Sequence, residues 1–234
     1  MPLGILKNSA SVWSGLKSSF PSVLNDGNTV AWYDSQLLRT ITKDGSDFVS
    51  RWNDRLGSGH DLIQAVGTNQ PKWFSVNGIL FDGIDNFMKT AAFTFDQPEM
   101  IYIVFKQITW TNTERIFDGF NNVSMLMSQS GITPELNIFA GAASPNDGSL
   151  PINTFGIVRA LYNGVNSSLQ INENAKWTGN AGASNAGGLT IGAQSSGALF
   201  GNIQLKEFIG RKIADGAVDD AAIFNYLKNK YGTP

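Results

Sequence analysis

The stretch that decides the fold is Glu99-Met-Ile-Tyr-Ile-Val-Phe-Lys106. Eight residues with almost no polar interruption, rich in β-branched and aromatic side chains, predict a strand buried on both faces. They are too short for a buried helix and far too short for a membrane span.

Outward from that strand the chain has period two. Thr29-Val-Ala-Trp-Tyr-Asp34 reads as a strand, and Phe48 to Asp54 as another with Phe48, Ser50 and Trp52 on one face. Short strands follow at 62–66, 72–76, 78–81, 115–118, 123–128, 135–140, 156–162, 168–172, 189–192 and 201–211. About a dozen short strands with turn residues between them predict an all-β sandwich. Asn163-Gly164 marks a hairpin between two of them. Residues 141–153 and 178–188 are Gly-, Ser- and Asn-rich loops.

Two segments depart from period two. In residues 1–28, Val12, Trp13, Leu16 and Phe20 fall at helical spacing, and Pro21 would end the helix; this is an arm or short helix ahead of a single domain over 29–234. At the other end Val218, Ala222, Ile223, Tyr226, Leu227 and Tyr231 form one stripe. Asp219 and Asp220 open it, Lys228 and Lys230 close it, and Gly232 stops it, in agreement with the helix dipole and with glycine's ease in the left-handed region.

Composition narrows the function classes. The 234 residues carry 15% charged side chains, a net charge of −2, 25 glycines and no cysteine. No basic stripe exists, so nucleic acid is not an expected partner. Disulfides, thiolate metal sites and cysteine nucleophiles are excluded. The N-terminus lacks a basic region followed by an apolar run, so no secretory signal is expected, and no membrane insertion.

Catalytic constellations are sparse. Carboxylates on alternate residues of one strand would share a face and could flank a glycosidic bond. None are found: Asp82 and Asp85 are three apart on a turn, and Glu114 and Asp118 four apart. His60, the sole histidine, stands in Gly57-Ser-Gly-His-Asp61 and is expected in an exposed loop. No Gly-x-Ser-x-Gly elbow accompanies it. Trp110 and Trp177 lie in polar connections and are the candidate sugar-stacking rings; the competing reading is packing or a subunit interface. Trp32, Trp52 and Trp73 lie inside strand patterns and are assigned to the core.

Three ordered pieces carry a resemblance: Val30 to Asp34 with Val49 to Asp54; Gln70-Pro71 leading into Gly78-Ile-Leu-Phe-Asp-Gly83 and Asp85; and Tyr162-Asn-Gly164 through Leu189-Thr-Ile-Gly192 and Phe200-Gly-Asn-Ile203 to the helix ending at Gly232. Over residues 29–232 the chain resembles concanavalin A-like, laminin G-like jelly-roll domains. The resemblance implies an all-β jelly-roll sandwich with a C-terminal helix. It also implies calcium as a cofactor, with Asp82, Asp85, Asn86 and Asp118 as candidate ligands; the alternative is that these groups cap turns. Fold alone does not choose a function. One expectation is a non-catalytic virion protein of a bacteriophage, a capsid-decorating, fibre or tail component outside the cell without a signal peptide. It would partner other virion subunits or itself and touch host-surface glycans. The other is a carbohydrate-binding module or degenerate glucanase of a secreted bacterial enzyme.

Overall fold

Ile101, Ile103 and Phe105 point to one side of their strand and Met100, Tyr102 and Val104 to the other, and each set enters a separate hydrophobic cluster. That is how the computed structural model, which describes residues 20–233, satisfies the apolar run. The expected helix through Val12 and Leu16 lies outside the described residues.

The strands in chain order are β1 (Thr29–Asp34), β2 (Ile41–Lys43), β3 (Val49–Trp52), β4 (Leu62–Ile63), β5 (Lys72–Phe74), β6 (Gly78–Asp82), β7 (Met88–Lys89) and β8 (Glu99–Gln107). They continue as β9 (Arg115–Gly119), β10 (Leu126–Ser130), β11 (Glu135–Phe139), β12 (Gly156–Tyr162), β13 (Ser167–Ile171), β14 (Trp177–Gly179), β15 (Leu189–Ile191) and β16 (Asn202–Arg211). The helix α1 spans Ala217–Tyr231. Sheet A runs β14-β13-β12-β8-β16-β6-β5, with β1 also paired to β16; sheet B runs β11-β10-β9-β15-β7-β4-β3-β2. Every strand pairing is antiparallel. This is the all-β sandwich with a C-terminal helix that the sequence implies.

Trp52, Phe81, Phe105, Phe117, Tyr162 and Phe208 fill the space between the sheets. Each such side chain contributes roughly 1.5–3 kcal/mol on leaving water. A second cluster lies on the outer face of sheet A, where α1 and the turn Ser22–Asn25 cover it: Leu24, Trp32, Tyr102, Ile209, Phe224 and Leu227. The helix stripe is therefore shifted from the expected one. Ile223, Phe224 and Leu227 are buried, whereas Val218 is 83% exposed. Val218 sits in the first turn but faces solvent, while Asp220 of the same turn pairs with Arg159 of β12. Gly232 ends the helix at φ 61°, and its N–H donates to the Lys228 carbonyl at 2.9 Å.

β3 also departs from expectation. Val49 and Trp52 are its buried residues, and Phe48 is exposed. The register with β2 passes from Thr42↔Arg51 to Lys43↔Val49, so Ser50 of β3 is left unpaired and the simple alternation is broken.

The helix is locked to sheet A by charge as well as by packing. Lys230 Nζ donates to Asp34 Oδ2 at 2.6 Å and to Glu207 Oε2 at 2.7 Å. Trp32 Nε1 at 2.6 Å and the Tyr226 hydroxyl at 3.0 Å donate to the other oxygen of Glu207. The Tyr231 hydroxyl donates to Oε2 at 2.7 Å, and Arg55 donates to Asp34 at 3.0 Å. Burial raises the Glu207 carboxyl, and Lys230 opposes the shift. Two acids and a lysine this close resemble an active-site constellation, but they are sealed between β16, β1 and α1.

Candidate functional site

Sheet B leaves its outer face free of any helix among the described residues. Two adjacent rows of the pairing show the alternation. Met127, Phe117, Ile191 and Met88 stand side by side and face the core. The next row is Asp118, Thr190, Lys89, Ile63, Arg51 and Thr42, facing outward. In the β10–β11 hairpin the outward pairs are Leu126 with Phe139, Ser128 with Asn137, and Ser130 with Glu135.

These outward side chains form the floor of a pocket of about 210 Å³. Leu126 and Phe139 supply an apolar patch, Ser128 and Asn137 a polar one, and Arg115, Thr113 and Val123 form the rim. The Ser128 hydroxyl donates to Asn137 Oδ1 at 2.7 Å. The Gln129 amide donates to Gln107 Oε1 and the Thr109 carbonyl, and its oxygen accepts the Thr111 N–H at 3.1 Å. That side chain ties the connection between β8 and β9 to the rim. Arg115 donates through Nη1 to the Thr113 carbonyl at 2.8 Å. Its Nε is buried without a partner, and burial lowers the guanidinium's pKa. An apolar surface beside convergent polar groups is the composition of small-ligand sites, and sugars present both kinds of surface.

Asp118 shapes the rim from beneath. Its carboxylate accepts the N–H groups of Gly119 (2.9 Å), Val123 (3.1 Å) and Ser195 (3.1 Å). Lys89 donates to the Ser195 carbonyl and lies 4.4 Å from the Phe120 ring centre. The loops at 120–125 and 193–197 are thus pinned together. Burial raises the Asp118 carboxyl despite these donors. Asp118→Asn would set an amide NH₂ against N–H donors, so a loss of about 2 kcal/mol in urea unfolding is expected. An unchanged midpoint would show that the carboxylate does not hold the loops.

The residues singled out from the sequence are dispersed. Asp82 accepts the N–H groups of Ile84 (2.9 Å) and Asp85 (3.4 Å), and Asp85 accepts the Asn86 side-chain amide at 3.1 Å. These bonds belong to the turn after β6, with Gly83 at φ 76°. Asp118 lies in the other sheet. No group of three acidic or histidine side chains able to hold a metal occurs among the described residues, so the three aspartates do not converge as a calcium site would require. Glu114 and Asp118 form no open pair either, because Asp118 is fully buried and committed to backbone donors.

Trp177 is on edge strand β14 rather than in a loop. Its ring folds over Gly179, where a Cβ would stand 2.6 Å away, and packs on the core. Trp110 is half-buried in the connection to β9, with its Nε1 closed off and unpartnered. Neither lines the pocket. His60 is half-buried, not exposed: its Nδ1 is 2.7 Å from the Val30 carbonyl oxygen, and its ring stacks on Phe93 at 3.8 Å. The pocket residues Arg115, Ser128, Asn137 and Phe139 are missed by sequence reasoning. The available signal is the alternation Leu126-x-Ser128-x-Ser130 opposite Asn137-x-Phe139, which needs the correct start of β10 to be seen.

No family model matches the sequence, and no significant similarity links it to a curated protein. Solved structures do resemble it. Trypanosoma rangeli sialidase in complex with sialic acid aligns with TM-score 0.64 at 14% identity, over 92% of this chain and 34% of that one. An arabinofuranosidase complexed with arabinofuranosyl-α-1,2-xylobiose aligns with TM-score 0.59 at 11% identity, over 77% of this chain and 50% of that one. The chain spans about a third of the sialidase and half of the arabinofuranosidase. At these identities the likeness is one of fold. The neighbours are glycosidases, which overturns the expectation of a non-catalytic virion protein and, with it, the expectation that the chain is not an enzyme. The second expectation, a carbohydrate-binding or glucanase-like domain, fits them better.

Proposed function

We propose that this chain is a glycan-binding sandwich domain of a carbohydrate-active protein, with the pocket over β9, β10 and β11 as its sugar site. The observation that carries the reading is the outward set Leu126, Phe139, Ser128, Asn137 and Arg115 around one small concavity. It supplies an apolar surface for sugar C–H groups and directional groups for hydroxyls. The likeness to glycosidase chains supports the carbohydrate context.

The test is a glycan array followed by backbone NMR titration with the best ligand. Shifts are expected to centre on residues 113–139. Phe139→Ala should weaken binding at least tenfold, roughly the 1.4 kcal/mol expected for losing one stacking surface. Shifts centred elsewhere, or full affinity in Phe139→Ala, would sink the assignment.

A further inference from the structure

The pocket is unequal in what it offers. Its lining contains one cation, Arg115, and no acid. Its two amide oxygens are already engaged: Asn137 Oδ1 receives Ser128, and Gln129 Oε1 receives the Thr111 N–H. Its nitrogen donors are not. Among the described residues Arg115 has a partner only at Nη1, makes no salt bridge, and has Nη2 left over. The Asn137 Nδ2 group has no hydrogen-bond partner among the described residues. The nearby Asp118 cannot neutralise the guanidinium fully, because three backbone N–H groups share its oxygens.

A site whose one charged group is a partly desolvated guanidinium, with a free amide NH₂ beside it, suits a ligand group that is anionic and only accepts. The guanidinium fork matches a carboxylate in shape and charge. Burial also lowers the pKa of Arg115, as expected for a charge lacking full compensation.

We infer that the pocket takes a sugar unit bearing a carboxylate, received by Arg115 with Asn137 Nδ2 as a second donor. This inference rests on the glycan-binding reading and names its ligand class. The apolar patch of Leu126 and Phe139 then faces the ring carbons of that unit, and the pocket volume accommodates a single ring rather than a long chain.

The experiment is calorimetric titration of the protein with three matched probes: a uronate oligosaccharide, its methyl ester, and a sulfated neutral oligosaccharide of the same length. The free uronate should bind at least tenfold more tightly than the ester, and its affinity should fall several-fold as salt screens the pair. Arg115→Gln should erase the difference between acid and ester. Should that variant fail to fold, the comparison of acid with ester on the unaltered protein stands alone. Equal affinity for acid and ester would overturn the inference but leave the glycan-binding reading standing. Preference for the sulfated probe over the uronate would overturn the carboxylate assignment. Binding of no probe, acidic or neutral, together with a blank glycan array, would remove the glycan-binding reading itself.

Discussion

Lys230→Met is expected to destabilise the protein by about 3–5 kcal/mol, far more than the loss of an ordinary surface lysine. The ammonium group sits between two carboxylates that water does not reach: Glu207 is fully buried and Asp34 nearly so. Removing it leaves Asp34 with Arg55 as its one cation, beside the neutral donors Gln36 N–H and Tyr231 OH, and Glu207 with only neutral donors. Breaking one side of a buried ion pair costs that much because the remaining charge stays desolvated. Lys228 is the internal control. It lies two residues away on the same helix and pairs with Glu173, but that pair is exposed, so Lys228→Met should cost under about 1 kcal/mol. Urea unfolding of both variants checks the contrast. Hydrogen exchange should show α1 loosening in Lys230→Met and not in Lys228→Met. Similar midpoints for the two variants would mean that the network does not hold the helix.

The second large effect concerns pH. Glu99 opens the central strand β8, is fully buried, and has its carboxyl pushed up to about 8, chiefly by burial. The Ala186 N–H donates to Oε1 at 2.8 Å, while Oε2 is buried without a partner. In the unfolded chain the carboxyl titrates near 4.5. Between these values the folded protein binds the proton more strongly than the unfolded one. Its contribution to stability is therefore complete below about pH 4.5 and is lost as pH rises to 8. At about 1.4 kcal/mol per pH unit the loss reaches roughly 4–5 kcal/mol. Glu99→Gln keeps the acceptor for Ala186 and cannot ionise. Its stability should change much less between pH 5 and 8, and above pH 8 it should exceed the parent by several kcal/mol. Parallel stability curves for the two proteins would show that Glu99 titrates in its ordinary range.

These residues show what a sequence discloses and what it hides. The apolar run 99–106 announces a strand with a layer on each side, because both alternating sets are hydrophobic. The terminal helix is legible from its charges and from Gly232. Val218 and Phe224 exchange roles because a stripe drawn by spacing alone does not say how the helix is rotated on the sheet. Phe48 and Val49 exchange roles because a register shift belongs to the pair of strands and not to either one. The helix lock joins Asp34, Glu207 and Lys230 across nearly the whole chain, so no local window contains it. The pocket is hidden for a similar reason. Arg115 becomes a neighbour of Ser128 and Asn137 only after β9, β10 and β11 have paired.

The strand order of sheet A has a consequence for synthesis. β16 lies between β8 and β6 and also pairs with β1, so it joins three otherwise separate pieces. Before it leaves the ribosome, the strands β14-β13-β12-β8 form one half-sheet, β6-β5 another, and β1 has no partner in either. The domain has no N-terminal half that can mature while the rest is being translated. Its cooperative assembly waits for β16, the last strand of the domain, and until then the bared edges of β8 and β6 are what a chaperone would meet.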